Sequence, residues 1–124
     1  MQTLLIIINE MQFEASLIKS PTAERIYNAL PFEGRANTWG DEIYFSIPVN
    51  AELEPDAREE VEVGELAFWP PGSAFCIFFG RTPASFGEKP VAASPVNVFG
   101  NITGNLEALK KVRSGSLVQV KKKF

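Results

Sequence analysis

Gly64–Pro83, GELAFWPPGSAFCIFFGRTP, sets two apolar runs on either side of a Pro-Pro-Gly turn. Leu66–Trp69 and Ala74–Phe79 read as strands, and either prolyl bond at Pro70 or Pro71 is a place where a cis peptide could fix the turn. In the second strand the two-residue period sends Phe75, Ile77 and Phe79 to one face and Ala74, Cys76 and Phe78 to the other. Both faces are apolar. A strand in a barrel wall, packed on the core inside and covered outside by a helix, has this pattern. Its exit, Gly80-Arg81-Thr82-Pro83, is where the chain turns polar again.

Outward from this stretch, short strands recur between Gly and Pro breaks. Thr3–Ile8 is rich in branched apolar residues and Gln12–Leu17 alternates, so the two suggest an opening hairpin. Ser20-Pro21 is a helix start, because serine can cap a free amide and proline suits the first helical position. Ala23, Ile26, Tyr27 and Leu30 then repeat at helical spacing until Pro31. Ala36–Trp39 and Glu42–Ile47 are predicted strands meeting at Gly40-Asp41, a dipeptide suited to a tight turn. Ala51–Glu60 is polar and acidic, with Pro55 inside it, and reads as an exposed loop. Thr82–Pro95 reads as a second long loop, Val96–Ile102 as a strand, Asn105–Lys111 as a short helix and Leu117–Lys122 as a last strand. The sum is about eight strands and two helices over residues 1–124, with no repeat and no second core. The economical architecture is a single mainly-β domain, a closed or nearly closed barrel capped by two short helices.

Composition removes several kinds of function. The chain has no histidine and one cysteine, which excludes Ser-His-Asp and Cys-His mechanisms, an intramolecular disulfide and nearly every transition-metal site. No metal or cofactor is expected. A net charge of -3 gives no basic field for nucleic acid, and Lys121–Lys123 are a solvated strand end. Leu4–Ile8 is too short for a membrane span and lacks a basic leader, so a soluble cytoplasmic protein is expected.

The chemistry-bearing residues sit beside turns. NTWGDEIYF (residues 37–45) brings together Trp39, Asp41, Glu42 and Tyr44, and alternation sends Glu42 and Tyr44 to one face. An acid among aromatics has its pKa raised and suits proton transfer, although adjacent carboxylates at a turn more often face water. Trp69 precedes Pro70-Pro71-Gly72 and covers a rim. Arg81 can orient a carbonyl or carboxylate through its planar fork, or equally pair with a loop carboxylate. Cys76, with no cation near it in sequence, is a buried reduced thiol. GNITGN, from Gly100 to Asn105, lacks both phosphate-loop spacings and reads as a strand-to-helix connection.

NTWGDEIYFSIPV, GELAFWPPGSAFCIFFGRTP and SPVNVFGNI together resemble the small prokaryotic cyclophilin-like proteins, over nearly the whole chain. The resemblance implies an eight-stranded barrel closed by two helices. Cyclophilins isomerise prolyl bonds with an arginine in a Phe-His-Arg segment beside a proline pocket. This chain reads FEGRANTWG in the corresponding region, and Arg35 is the one guanidinium there. The expectation is therefore a barrel that binds a small molecule or peptide in a partly aromatic pocket formed from Trp39, Glu42, Tyr44, Trp69, Phe78 and Arg81. The alternatives are a weak prolyl isomerase using Arg35 or Arg81, a partner-dependent domain like those in amide-hydrolysing enzymes, and a homodimeric interaction module.

Overall fold

A computed structural model describes residues 2–124. It contains β1 (Thr3–Ile8), β2 (Met11–Leu17), α1 (Pro21–Ala29), β3 (Phe32–Arg35), β4 (Asn37–Thr38), β5 (Glu42–Ser46), β6 (Arg58–Glu60), β7 (Glu65–Trp69), β8 (Ala74–Phe78), β9 (Val91–Ile102) and β10 (Leu117–Lys122). Ser20 caps α1 by accepting from the Ala23 amide, and the helix ends before Pro31, whose peptide bond with Leu30 is cis. The peptide bonds at Pro70 and Pro71 are trans, and residues 70–72 form a single 3₁₀ turn.

The strands form one antiparallel sheet in the order β3-β10-β1-β2-β9-β7-β8-β5-β4, with β6 added on β9. The hydrogen-bonded order is therefore an open path of mainly-β architecture, and the closed eight-stranded ring expected from sequence is not what the ladders form. The two ends of the path, β3 and β4, are consecutive stretches of one segment separated by Ala36. The first stretch pairs with β10 and the second with β5. A single segment shared between two neighbours leaves no ladder between its own halves. Gly34 of β3 lies directly against the Phe45 ring of β5, where an added Cβ would come within 2.8 Å of Cδ2.

The alternation in β8 holds on both faces. Phe75 and Ile77 join the larger core with Leu4, Ile6, Phe45 and Phe99, where Phe75 stacks on Phe45 at 5.2 Å and meets Phe99 edge-on at 5.1 Å. Ala74, Cys76 and Phe78 join a second apolar cluster with Val61, Ala67, Ala92 and Val96. That second cluster corrects the expectation of a single core, and its cover corrects the expectation of a helix. The buried apolar residues of α1, Ala23 and Ile26, with Leu30 at its cap, pack in the first cluster, whereas the other face of β8 is covered by residues of β9 and the segment around Val61.

Three segments differ from the sequence expectation for local reasons. Arg58–Glu60, within the expected loop, is strand β6, held by pairing with β9 and by the two terminal guanidinium nitrogens of Arg58 on the Glu65 carboxylate. The expected second helix is a 3₁₀ helix over Leu106–Lys111, and it lacks a side-chain cap at Asn105. β9 begins at Val91, well inside the expected loop, and runs through Pro95. Between its pairs Glu60↔Val91 and Arg58↔Val96, two steps along β6 face five along β9, so β9 bulges away from the ladder over residues 92–95. A bulge is where a strand tolerates proline, because no ladder amide is needed there.

Candidate functional site

The β9 bulge stands over the outer face of β5, β7 and β8 and encloses a cavity of about 230 Å³ lined by Trp39, Glu42, Tyr44, Trp69, Ala92, Ala93 and Val96. Glu42 opposes Phe78 and Tyr44 opposes Cys76 across β5 and β8, while Ala67 opposes Cys76 and Trp69 opposes Ala74 across β7 and β8. Directly opposed residues share a face of the sheet, so the second apolar cluster is the floor of the cavity.

Each wall is fixed by its own local structure. Trp39 and Glu42 exchange backbone hydrogen bonds of 3.0 and 3.2 Å around Gly40-Asp41. Gly40 has φ +60°, and a Cβ there would come within 2.9 Å of the Arg81 carbonyl oxygen, so the turn requires glycine twice over. The Asp41 amide donates to the Arg81 carbonyl at 2.8 Å and the Phe79 amide donates to the Asp41 carbonyl at 2.9 Å, which stitches the turn to the exit of β8. On the opposite wall the Trp69 indole N–H donates to the Ser94 hydroxyl at 2.6 Å, tying β7 to the bulge. Gly72 lies against the Trp69 ring, 3.0 Å from Cε3 at its would-be Cβ, so a larger residue there would displace the indole.

Glu42 is the one charged residue of the lining, and it is only 6% exposed. Burial pushes its carboxyl up to about 7, opposed by the Cys76 thiol beside it. Burial, with the neighbouring Glu42 carboxylate, pushes the Cys76 thiol up as well; the thiol also approaches the Ala74 carbonyl oxygen at 3.8 Å. Among the described residues no Lys or Arg pairs with Glu42, and no N–H or O–H group donates to its carboxylate. The site thus offers an aromatic enclosure, an acid able to hold or release a proton near neutrality, and no nucleophile activated by a base.

Four of the seven candidate residues, Trp39, Glu42, Tyr44 and Trp69, meet at this cavity. Phe78 lies beneath it, fully buried in the floor cluster. Arg81 is exposed and contributes its backbone carbonyl to the Gly40-Asp41 turn, and its side chain does not line the cavity. Arg35 lies at the end of β3 and donates to the Gly115 carbonyl at 3.3 Å, also away from the cavity. Ala92, Ala93 and Val96 were not legible as site residues, since small apolar residues around a proline carry no signal of a wall. Ser94 carried none either until Trp69 found it.

A second polar constellation supports the cover. Asn97, buried on β9, accepts from the Glu54 amide at 2.8 Å and donates to the Glu52 carbonyl at 2.8 Å and to the Thr22 hydroxyl at 3.0 Å. Thr22 in turn donates to the Glu54 carboxylate, through its hydroxyl and, at 3.1 Å, through its amide. One buried amide thus fastens the acidic loop to both α1 and the sheet.

Residues 2–121 match the family model described as Cyclophilin-like. The chain is similar to the hypothetical protein AF2241 from Archaeoglobus fulgidus, whose solution structure shares 42% identity at a TM-score of 0.83 over 98% of this chain and 95% of that one. It is also similar in fold to McbB, solved in complex with tryptophan, at 14% identity and a TM-score of 0.68, over 97% of this chain and 44% of that one. Among curated proteins none matches. The chain belongs to the cyclophilin-like family.

Proposed function

We propose that this protein is a binding module that takes a small molecule or a peptide side chain into the cavity between Trp39, Tyr44 and Trp69, with Glu42 as its polar contact. The observation that supports this reading is the convergence of two hairpin walls and the β9 bulge on one apolar cavity with a single buried acid. Ligand pockets are commonly built this way, mostly apolar with few polar groups that fix orientation. Strand bulges beside binding sites commonly serve to aim side chains.

Catalysis of prolyl isomerisation needs a donor at the substrate amide, and no arginine lines this cavity. Exchange NMR on a short Xaa-Pro peptide is the test. The expected result is an exchange rate that the protein leaves unchanged. Acceleration by the parent protein that disappears in Arg35→Ala or Arg81→Ala would replace the binding reading with an isomerase.

A further inference from the structure

Glu42 poses a physical problem that the apolar cavity alone does not solve. A carboxylate out of water is costly unless a cation or several donors face it. Among the described residues neither is provided: Lys and Arg pair elsewhere or are exposed, and the one polar hydrogen beside it belongs to the weakly donating Cys76 thiol. A leucine or methionine would line the same space without that cost. No side-chain oxygen of the described residues is both fully buried and unpartnered, so the Glu42 carboxyl opens onto the cavity, and the group that faces it comes from whatever fills that space.

We propose that the cavity selects a small organic ammonium ion: a compact apolar body among Trp39, Tyr44 and Trp69, with its positive nitrogen against Glu42. This rests on the binding reading above and specifies the ligand class for the same site. Three features of the lining carry it. Glu42 is its only charge and is negative, so complementarity requires a cation. Three of the seven lining residues are aromatic, and indole and phenol faces attract ammonium groups through their quadrupoles. The remaining lining is Ala92, Ala93 and Val96, which suits an apolar body and offers no second charge to hold a zwitterion or a phosphate. An apolar cavity of about 150 Å³ is sufficient for benzene. The present 230 Å³ accordingly suits one ring carrying a short aminoalkyl chain.

Acidity supports the same assignment. A carboxyl raised to about 7 by burial holds a proton in the free site near neutrality, and an ammonium group takes the place of that proton. Tyr44 from β5 and Cys76 from β8 are the other titratable groups on this face, with Asp41 in the adjoining turn; β7 and β9 bring none to the lining.

The test uses the indole N–H signals of Trp39 and Trp69 in the ¹⁵N-labelled full chain. The chain has only these two tryptophans and both line the cavity, so the two signals report on it directly. Benzylamine, 2-phenylethylamine and cyclohexylmethylamine are titrated at pH 8.5 beside their neutral counterparts, benzyl alcohol, 2-phenylethanol and cyclohexylmethanol, and beside phenylacetate. The proposal predicts amines binding about tenfold more tightly than the matching alcohols, phenylacetate leaving both signals unmoved, and Glu42→Gln bringing amine and alcohol to parity. Amines and alcohols binding equally to the parent protein would overturn the ammonium assignment and leave the binding reading standing. Phenylacetate binding, or an amine preference surviving in Glu42→Gln, would overturn it too. If no compound of the panel moves either indole signal, both the ammonium assignment and the pocket reading fail. The parent series alone decides the outcome if the variant does not fold.

Discussion

Glu42 and Cys76 share one face of the β5–β8 ladder as diagonal neighbours, two residues out of register, with Tyr44 opposite Cys76 and Phe78 opposite Glu42. An acid and a thiol, both buried and both pushed toward their protonated forms, thus sit side by side beneath an aromatic rim. Much of what the protein should do under perturbation follows from this pair.

The pH dependence of stability carries the signature of Glu42. Folding lifts its carboxyl from 4.5 to about 7, so between those values the folded chain holds a proton that the unfolded chain has released. Its contribution is therefore fully present below pH 4.5, falls as pH rises through 7, and is constant above. The loss is at most about 3 kcal/mol. In urea unfolding from pH 4 to 8.5, Glu42→Gln should remove this slope and gain on the parent protein as pH rises. A parent-minus-variant difference that does not change with pH would contradict the buried-acid account.

Cys76 should be inert in the folded protein. Its thiol is buried and its ionisation is disfavoured by burial and by Glu42, so labelling by a disulfide reagent at pH 8 should proceed only as fast as the chain opens. Adding urea below the unfolding transition should speed labelling in step with the open population. Prompt stoichiometric labelling in the absence of denaturant would show the floor of the cavity to be accessible.

The bulge should loosen when its tie to β7 is cut. Ser94→Ala removes the hydroxyl that accepts from the Trp69 indole, at a cost of about 1 kcal/mol. The Trp69 indole N–H signal should shift and its hydrogen exchange should quicken, while the Trp39 signal stays in place. Equal changes at both indoles would mean that the two walls are not independently held.

Asn97 should matter more than its distance from the cavity suggests. Asn97→Ala strips two hydrogen bonds from the acidic loop and one from α1, and leaves the Thr22, Glu52 and Glu54 groups to find other partners. A loss of about 2–4 kcal/mol is expected in thermal or urea unfolding. A cost below about 0.5 kcal/mol, the level of an ordinary surface change, would show that water replaces the amide readily.

The fold was legible wherever local chemistry dominates. Ser20 and Pro21 announced α1, Gly40-Asp41 announced its turn, and the two apolar faces of Ala74–Phe78 announced a strand buried on both sides. What covers the second of those faces was not legible, because Val91–Pro95 has the composition of a loop and is held over the sheet only by the pairing of the flanking Val91 and Val96 with Glu60 and Arg58. The sheet's open order was hidden for a related reason: one segment, Phe32–Thr38, serves two neighbours in turn, and no residue marks the change at Ala36. For the candidate site, alternation placed Glu42 with Tyr44. That Trp39 and Trp69 line one cavity depends on the β5-β8-β7 order, which is a non-local property. Arg81 drew attention as a guanidinium at a strand exit, yet its part in the site is played by its carbonyl, a group that every residue carries.

The proposed ligand site lies between the Gly40-Asp41 hairpin and the β9 bulge. A fragment screen read by ¹H–¹⁵N correlation spectra on the assigned full chain tests it most directly. Bound fragments should perturb a contiguous set comprising Trp39, Glu42, Tyr44, Trp69 and residues 92–96, and Trp39→Ala should abolish those shifts in a protein that remains folded. Perturbations gathered at another surface, or persisting in full in Trp39→Ala, would contradict it.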